Sequence, residues 1–249
     1  MPGGPTFAHM AVTRLTIAYD GGPFAGWARQ PGRRTVQEEL ERALGVVLRE
    51  EVALTVAGRT DAGVHALGQV ASYDGAPPRL DGVNALLPDE IAVLAAGPAA
   101  DDFDARASAR ARTYCYRVLA RRAPSPFERG RALHWPYPVD RDALDACAAA
   151  LTGEHDFTAF TPAETDHVRF ERVVFEAAWR APDDGILEFW IRADAFMRQM
   201  NRVLVGTMLE VAGGRRGVDS FAALLRGAHR RDAGVTAPAH GLYLARVDY

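Results

Sequence analysis

Apolar residues alternating with polar ones recur along almost the whole of this 249-residue chain, and no other feature narrows its possible folds as much. Arg14-Leu15-Thr16-Ile17-Ala18-Tyr19 is the first such run. Val52–Ala57 and Gln69–Tyr73 flank a glycine-bounded loop, and Ile91–Ala95 follows. Arg112–Leu119, Val173–Trp179, Ile186–Ala193 and Gly241–Val247 carry the pattern through the second half. A period of two sends successive side chains to opposite faces, which is what half-buried strands require.

Helical signals fall between these runs. Thr35-Val36-Gln37-Glu38 reads as a capping box opening a helix with Val36, Leu40, Ala43, Leu44, Val47 and Leu48 on one face. A short helix is expected around Val83–Leu87, stopped near Pro88. Asp140 can cap a helix running through Leu151 and ended by Gly153. Another is expected from about Met197 to Gly213-Gly214, and a last one from Asp219 through Arg226. Pro182-Asp183-Asp184-Gly185 is a turn between two strands. The simplest architecture is α+β: two related α/β half-domains fusing their strands into one mainly antiparallel sheet, with helices on one face. The expected division is a disordered extension over 1–10, a half over 11–108 carrying the glycine-bounded loop, and a half over 109–249.

All 29 cationic side chains are arginine, which excludes a Schiff-base lysine, a pyridoxal-phosphate anchor and a Walker P-loop lysine. The net charge of −3 is unevenly spread. Arg106 to Arg131 holds eight arginines against Glu128 alone, and Phe196 to Arg231 holds seven against Glu210 and Asp219. Basic clusters on a mildly acidic chain fit a phosphate-lined partner on one face, and fit equally a scatter of solvated arginines. The seven histidines make no His-x-x-x-His or Cys/His cluster, so metal catalysis has little support. No Gly-x-Ser-x-Gly or phosphate-cradling glycine loop occurs. No apolar run approaches the ~20 residues that cross a bilayer. The N-terminus does not read as a secretory signal, and Cys115 and Cys147 read as buried reduced thiols, which suits a cytoplasm.

One loop asks for more than a turn. Gly58-Arg59-Thr60-Asp61-Ala62-Gly63 sets a carboxylate two residues from a guanidinium between two strands. Taken alone, Asp61 fits an Asx turn, and Arg59 with Asp61 fits a surface ion pair worth ~0–1 kcal/mol. A carboxylate hydrolase would want two carboxylates flanking the bond, and the sequence offers Asp61 no convincing partner.

The stretch Gly58 to Ala66 resembles the signature of the tRNA pseudouridine synthase A family. Further stretches agree in order: Tyr19-Asp20-Gly21 with Gly26-Trp27 and Gln30; Asn84-Ala85-Leu86-Leu87-Pro88; Phe103-Asp104-Ala105-Arg106; and Arg112-Thr113-Tyr114-Cys115-Tyr116. His155-Asp156-Phe157-Thr158, then Phe196 with Met200 and Arg202, and Gly241-Leu242-Tyr243-Leu244 complete the series. The resemblance implies the pseudouridine synthase fold and a homodimer that isomerises uridine to pseudouridine at positions 38 to 40 of the tRNA anticodon stem-loop, without metal or cofactor. It implies Asp61 as nucleophile, Tyr114 against the target uracil, Arg202 paired with the nucleophile and Leu242 in the pocket wall. Arg59 is expected to contact the RNA backbone and help hold the flipped nucleotide, and His65 to be structural or RNA-contacting. A catalytically silent binder of structured RNA is the alternative from another class.

General chemistry makes these roles intelligible. Taking a base out of its stack costs a few kcal/mol, and stacking on Tyr114 returns ~1–3 kcal/mol. A carboxylate must be anionic to attack, and a guanidinium ~4 Å away favours that form by roughly 4 kcal/mol before desolvation costs. Arg202 lies among Met200, Val203, Leu204 and Val205, an apolar setting that favours a buried, paired arginine. Three positions depart from the family pattern: Asn201 where an aliphatic residue is usual, Ala28 where glutamine is common, and a short segment over Thr161–Arg172.

Overall fold

The computed structural model describes residues 11–165, 168–183 and 185–249. The first half runs β1 (Val12–Tyr19), α1 (Val36–Leu48), β2 (Thr55–Val56), β3 (His65–Asp74), α2 (Leu80–Asn84) and β4 (Ile91–Pro98). The second runs β5 (Ala111–Leu119), β6 (Leu133–His134), α3 (Arg141–Ala150), β7 (Gly153–Asp156), β8 (Glu171–Arg180), β9 (Ile186–Ala193), α4 (Met200–Ala212), α5 (Val218–Leu224) and β10 (Leu242–Asp248).

All ten strands form one sheet, with the main path β4-β1-β3-β10-β5-β9-β8-β7. The pairings are antiparallel except β3 with β10 and β5 with β6. The last strand of the chain thus enters the middle of the sheet and joins strands of residues 12–98 to those of 111–193.

Register decides which side chains share a face. Tyr114, Tyr116 and Val118 of β5 stand opposite Ile191, Phe189 and Leu187 of β9, and Leu244 and Leu242 of β10 oppose Tyr114 and Tyr116. In β3 an extra residue between the partners of Ile17 and Tyr19 lets Ala66 and Gln69 face the same side. This apolar face carries Leu15, Ile17 and Tyr19 and packs under the helices into one core with Leu40, Leu44, Leu144, Leu204 and Phe221. The opposite face is polar: Arg117 pairs with Glu188, Arg192 with Asp248, and Arg14 lies 4.7 Å from the ring centroid of Tyr249.

Local chemistry shifts several expected boundaries. Thr35 is the N-cap of α1, yet its hydroxyl makes no cap bond. The amides of Val36 and Gln37 donate instead to the carbonyls of Gly26 and Trp27, so the capping box is replaced by backbone partners from the preceding loop. Helix α2 begins at Leu80, three residues before the expected Val83, and Asn84 at its end bonds both the N–H and the C=O of Val93. Helix α4 begins at Met200 rather than Met197 because Gln199 is left-handed, with φ 60°. Helix α5 begins at Val218 after Gly217 rather than at Asp219. β2 shrinks to two residues, since the amide of Leu54 donates to the Glu41 carboxylate of α1. Asp140 caps α3 as expected, accepting from the amide of Ala143 at 3.1 Å.

Residues 1–10 and Asp184, within the expected turn, lie outside the described residues. Cys115 and Cys147 are buried free thiols, and burial pushes that of Cys147 up to about 11. Among the described residues no helix is long and apolar enough to cross a membrane.

Candidate active site

The loop between β2 and β3 sits over the centre of the sheet because buried polar groups pin it there. Gln69 is fully buried, and its amide donates to the carbonyl of Gly58 at 2.7 Å and to the hydroxyl of Tyr19 at 3.3 Å. Tyr19 in turn shares a 2.8 Å hydrogen bond with Thr60. The amide of Trp27 donates to the carbonyl of Thr60, which brings the 21–27 segment down onto the loop. That approach leaves no room for a side chain: a Cβ on Gly21 would lie 1.9 Å from the carbonyl oxygen of Val64, and one on Gly26 2.9 Å from that of Thr60.

Asp61 is therefore held on a braced loop, and its partner comes from the far half of the chain. Arg202 Nη1 lies 3.7 Å from Asp61 Oδ2. Among the described residues Asp61 makes neither an Asx turn nor an ion pair with Arg59, so both local readings of the pair fail. At 3.7 Å the contact is Coulombic rather than a hydrogen bond. Arg202 is fixed from behind: its Nε donates to the carbonyl of Ala237 at 2.7 Å, and the amide of Ala237 donates to the carbonyl of Arg202 at 3.0 Å. The Asp61 side chain is 37% exposed, so in the free protein water screens the pair towards the ~1 kcal/mol range of surface pairs. In the free protein the carboxylate is thus in contact with water.

That cleft has a volume of about 770 Å³ and is walled by Arg59, Asp61, Tyr114, Phe196, Asn201 and Leu242, among others. Leu242 and Tyr114, 6% and 8% exposed, come from adjacent strands of the sheet. Phe196 meets the Tyr114 ring edge-on at 4.9 Å and fixes its tilt. Burial drives the Tyr114 phenol well above the ordinary tyrosine range; nearby Tyr19 and Asp61 add to this and Arg112 opposes it. The ring is thus a neutral flat platform. Burial likewise pushes Tyr19 up to about 12, against hydrogen bonds from Thr60 and Gln69.

The cleft gathers Asp61, Arg59, Tyr114 and Leu242, with Arg202 reaching Asp61 from α4. His65, 3% exposed, is structural: Nδ1 accepts from the amide of Gly21, and Nε2 faces the carbonyls of Gly130 and His240, each at 3.1 Å. Sequence reasoning assigned no role to Phe196, Glu164 or Arg106, which also line the cleft, or to Arg112. The Arg112 guanidinium donates to four backbone carbonyls, those of Ala57, Arg106, Ala109 and Asp194. It ties the root of the Asp61 loop to the second half. In the sequence it stands as a polar residue at the start of a strand, heading one of the matching stretches. Several arginines of the basic clusters are thus spent internally, Arg117 on Glu128 and Glu188 among them.

Chemically, the site offers a carboxylate with a fixed cation behind it, an aromatic floor for a planar ring, and exposed guanidiniums at the rim. No group of three or more His, Cys, Asp or Glu among the described residues could hold a metal ion. Residues 147–249 match the family model described as tRNA pseudouridine synthase. The chain is 40% identical over 244 residues to tRNA pseudouridine synthase A of Bacillus pumilus, covering 95% of this chain and 98% of that one. It is 44% identical over 246 residues to tRNA pseudouridine synthase A of Frankia casuarinae, covering 95% and 88%. Among solved structures, one chain of a Cbf5-Nop10-Gar1 complex matches with TM-score 0.43 and 11% identity, covering 82% of this chain and 45% of that chain. Identity at this level over almost the full length, in relatives that share one name, means that the chain belongs to the tRNA pseudouridine synthase A family.

Proposed function

We propose that this protein is an isomerase that converts uridine to pseudouridine in tRNA, with Asp61 as its nucleophile. The observation that carries the reading is the Asp61 carboxylate facing Arg202 at 3.7 Å in a cleft with an aromatic floor. In the reaction the N1–C1′ bond breaks, the base turns, and a C5–C1′ bond forms. The C5 proton leaves and N1 gains one, so product and substrate are isomers and no redox partner is needed. Asp61 attacks either C6 of the base or C1′ of the ribose. Tyr114 stacks on the uracil, Leu242 closes the wall, and Arg59 holds the backbone of the flipped nucleotide. When the base enters, it expels the water around Asp61, and the pair with Arg202 strengthens as its screening is lost. Freed of screening, Arg202 holds the carboxylate in register with the bound base.

Positions 38 to 40 of the anticodon stem-loop and action as a homodimer follow from the resemblance of the motifs, a cytoplasmic location from the two free thiols, and all three are part of the same proposal. The test is Asp61→Asn assayed on tRNA transcripts. Pseudouridine formation is expected to vanish while tRNA affinity stays within several-fold of wild type. Full activity in that variant ends the assignment of Asp61. Wild type that binds tRNA yet leaves no pseudouridine after a stoichiometric incubation would make the protein a silent RNA binder.

A further inference from the structure

A second, smaller cleft of about 330 Å³ lies on the other side of the Asp61 loop, walled by Trp27, Gln37, Leu54, Val56, Gly58 and, at its rim, Arg59 and Arg106. Arg59 and Arg106 also line the main cleft, so the two cavities share a lip made of two guanidiniums. Both side chains are exposed, and among the described residues neither has an ion-pair or hydrogen-bond partner. Elsewhere arginines are tied down, as Arg34 is to Glu39 and Glu90, and Arg192 to Asp248.

The position of Arg106 is nonetheless rigid. Its amide donates to Asp104 Oδ1 at 2.7 Å, the neighbouring Ala105 amide donates to Ser72 Oγ at 3.1 Å, and its carbonyl accepts from Arg112 Nη2. The same Nη2 donates to the carbonyl of Ala57, so one guanidinium holds the Arg106 segment against the root of the Asp61 loop. The Trp27 ring beneath this cleft is 1% exposed, and its indole nitrogen is closed off from solvent.

We propose that Arg59 and Arg106 clamp the phosphate joining the target uridine to its neighbour in the RNA, and that the smaller cleft takes the neighbouring base. Two unpaired guanidiniums on one shared lip suit a phosphodiester, whose oxygens accept from both. A base seated beside Leu54 and Val56 meets a partly apolar wall, with Gln37, Arg59 and Arg106 as its polar edge. Holding the next nucleotide in a separate pocket fixes the backbone on one side of the flipped uridine, so the target cannot restack by sliding.

The proposal rests on the tRNA reading, and the experiment separates the two. Binding of tRNA is measured against salt for wild type, Arg106→Ala and Arg106→Lys, with pseudouridine formation followed in parallel. Arg106→Ala is expected to weaken binding roughly five- to tenfold and to lower the slope of log affinity against log salt by about one, as for one lost phosphate contact. Arg106→Lys keeps the slope. An unfolding midpoint equal to wild type excludes a folding defect at this exposed, unpartnered side chain. In tRNA with an abasic residue placed on either side of the target, one of the two is expected to bind wild type more weakly. Wild-type affinity and slope in Arg106→Ala, or no effect of either abasic residue, overturns the proposal. Absence of pseudouridine with wild type would sink the enzymatic reading instead, leaving the clamp standing on its binding data.

Discussion

Asp61 and Arg202 lie 141 positions apart in sequence and 3.7 Å apart in space, whereas Arg59, two residues from Asp61, makes no ion pair with it. Thr60 explains the difference, because its hydroxyl is drawn to Tyr19 and its carbonyl to the amide of Trp27. With Thr60 anchored below, Asp61 reaches α4 while Arg59 stays at the exposed rim.

Removing the cation from this pair should slow chemistry more than it weakens RNA binding. Arg202→Met is expected to reduce the single-turnover rate of pseudouridine formation about 100-fold, equivalent to ~2.7 kcal/mol. Arg202→Lys should fall between, since an ammonium restores charge but not the Nε bond to Ala237. A wild-type rate in Arg202→Met would show that the pair is only structural.

Tyr114 should act through its ring. Its phenol is held neutral by burial, and among the described residues its hydroxyl has no hydrogen-bond partner. Tyr114→Phe is expected to keep the rate within a few-fold, and Tyr114→Ala to lose ~1–3 kcal/mol of stacking, roughly 5- to 150-fold in kcat/KM. Equal loss in both variants would instead make the hydroxyl part of the chemistry.

Arg112 should be worth far more to stability than an ordinary strand arginine. Its guanidinium serves four carbonyls, and Arg112→Met strands them at the junction of the Asp61 loop and the second half. The expected loss is about 3 kcal/mol in urea unfolding, with a slower reaction in the protein that remains folded. An unchanged unfolding midpoint would contradict this. Arg112→Lys should not rescue, because one ammonium cannot reach all four.

Alkaline pH should unfold the protein through the site itself. Tyr19 is raised from 10.0 to about 12 in the folded state, so above pH 10 the unfolded chain loses a phenolic proton that the folded one keeps. This contribution is complete below pH 10 and is lost as the pH rises towards 12, roughly 2–3 kcal/mol in all. Tyr114 and Tyr116, raised in the same direction by burial, add to it. Urea midpoints from pH 8 to 11.5 should fall more steeply for wild type than for Tyr19→Phe, which starts about 1 kcal/mol lower without its bond to Thr60. Parallel slopes would mean that Tyr19 ionises freely in the fold.

Much of this was legible in the residues, and the boundary has a physical cause. Period-two alternation is a local property of the chain, so β1, β5 and β9 could be read directly. The Asp61 loop was legible because glycines flank it and strands bound it. The helix start at Val36 misled at one point, since the Thr35 hydroxyl is displaced as a cap by the carbonyls of Gly26 and Trp27, which only folding brings there. By itself the sequence determined the strands, the loop and the kinds of side chain available to a site. Which arginine faces Asp61, which guanidinium latches the loop and which stay free at the rim was decided by tertiary structure. Partners are chosen by distance in space, and β10 sets those distances by entering the middle of the sheet between β3 and β5.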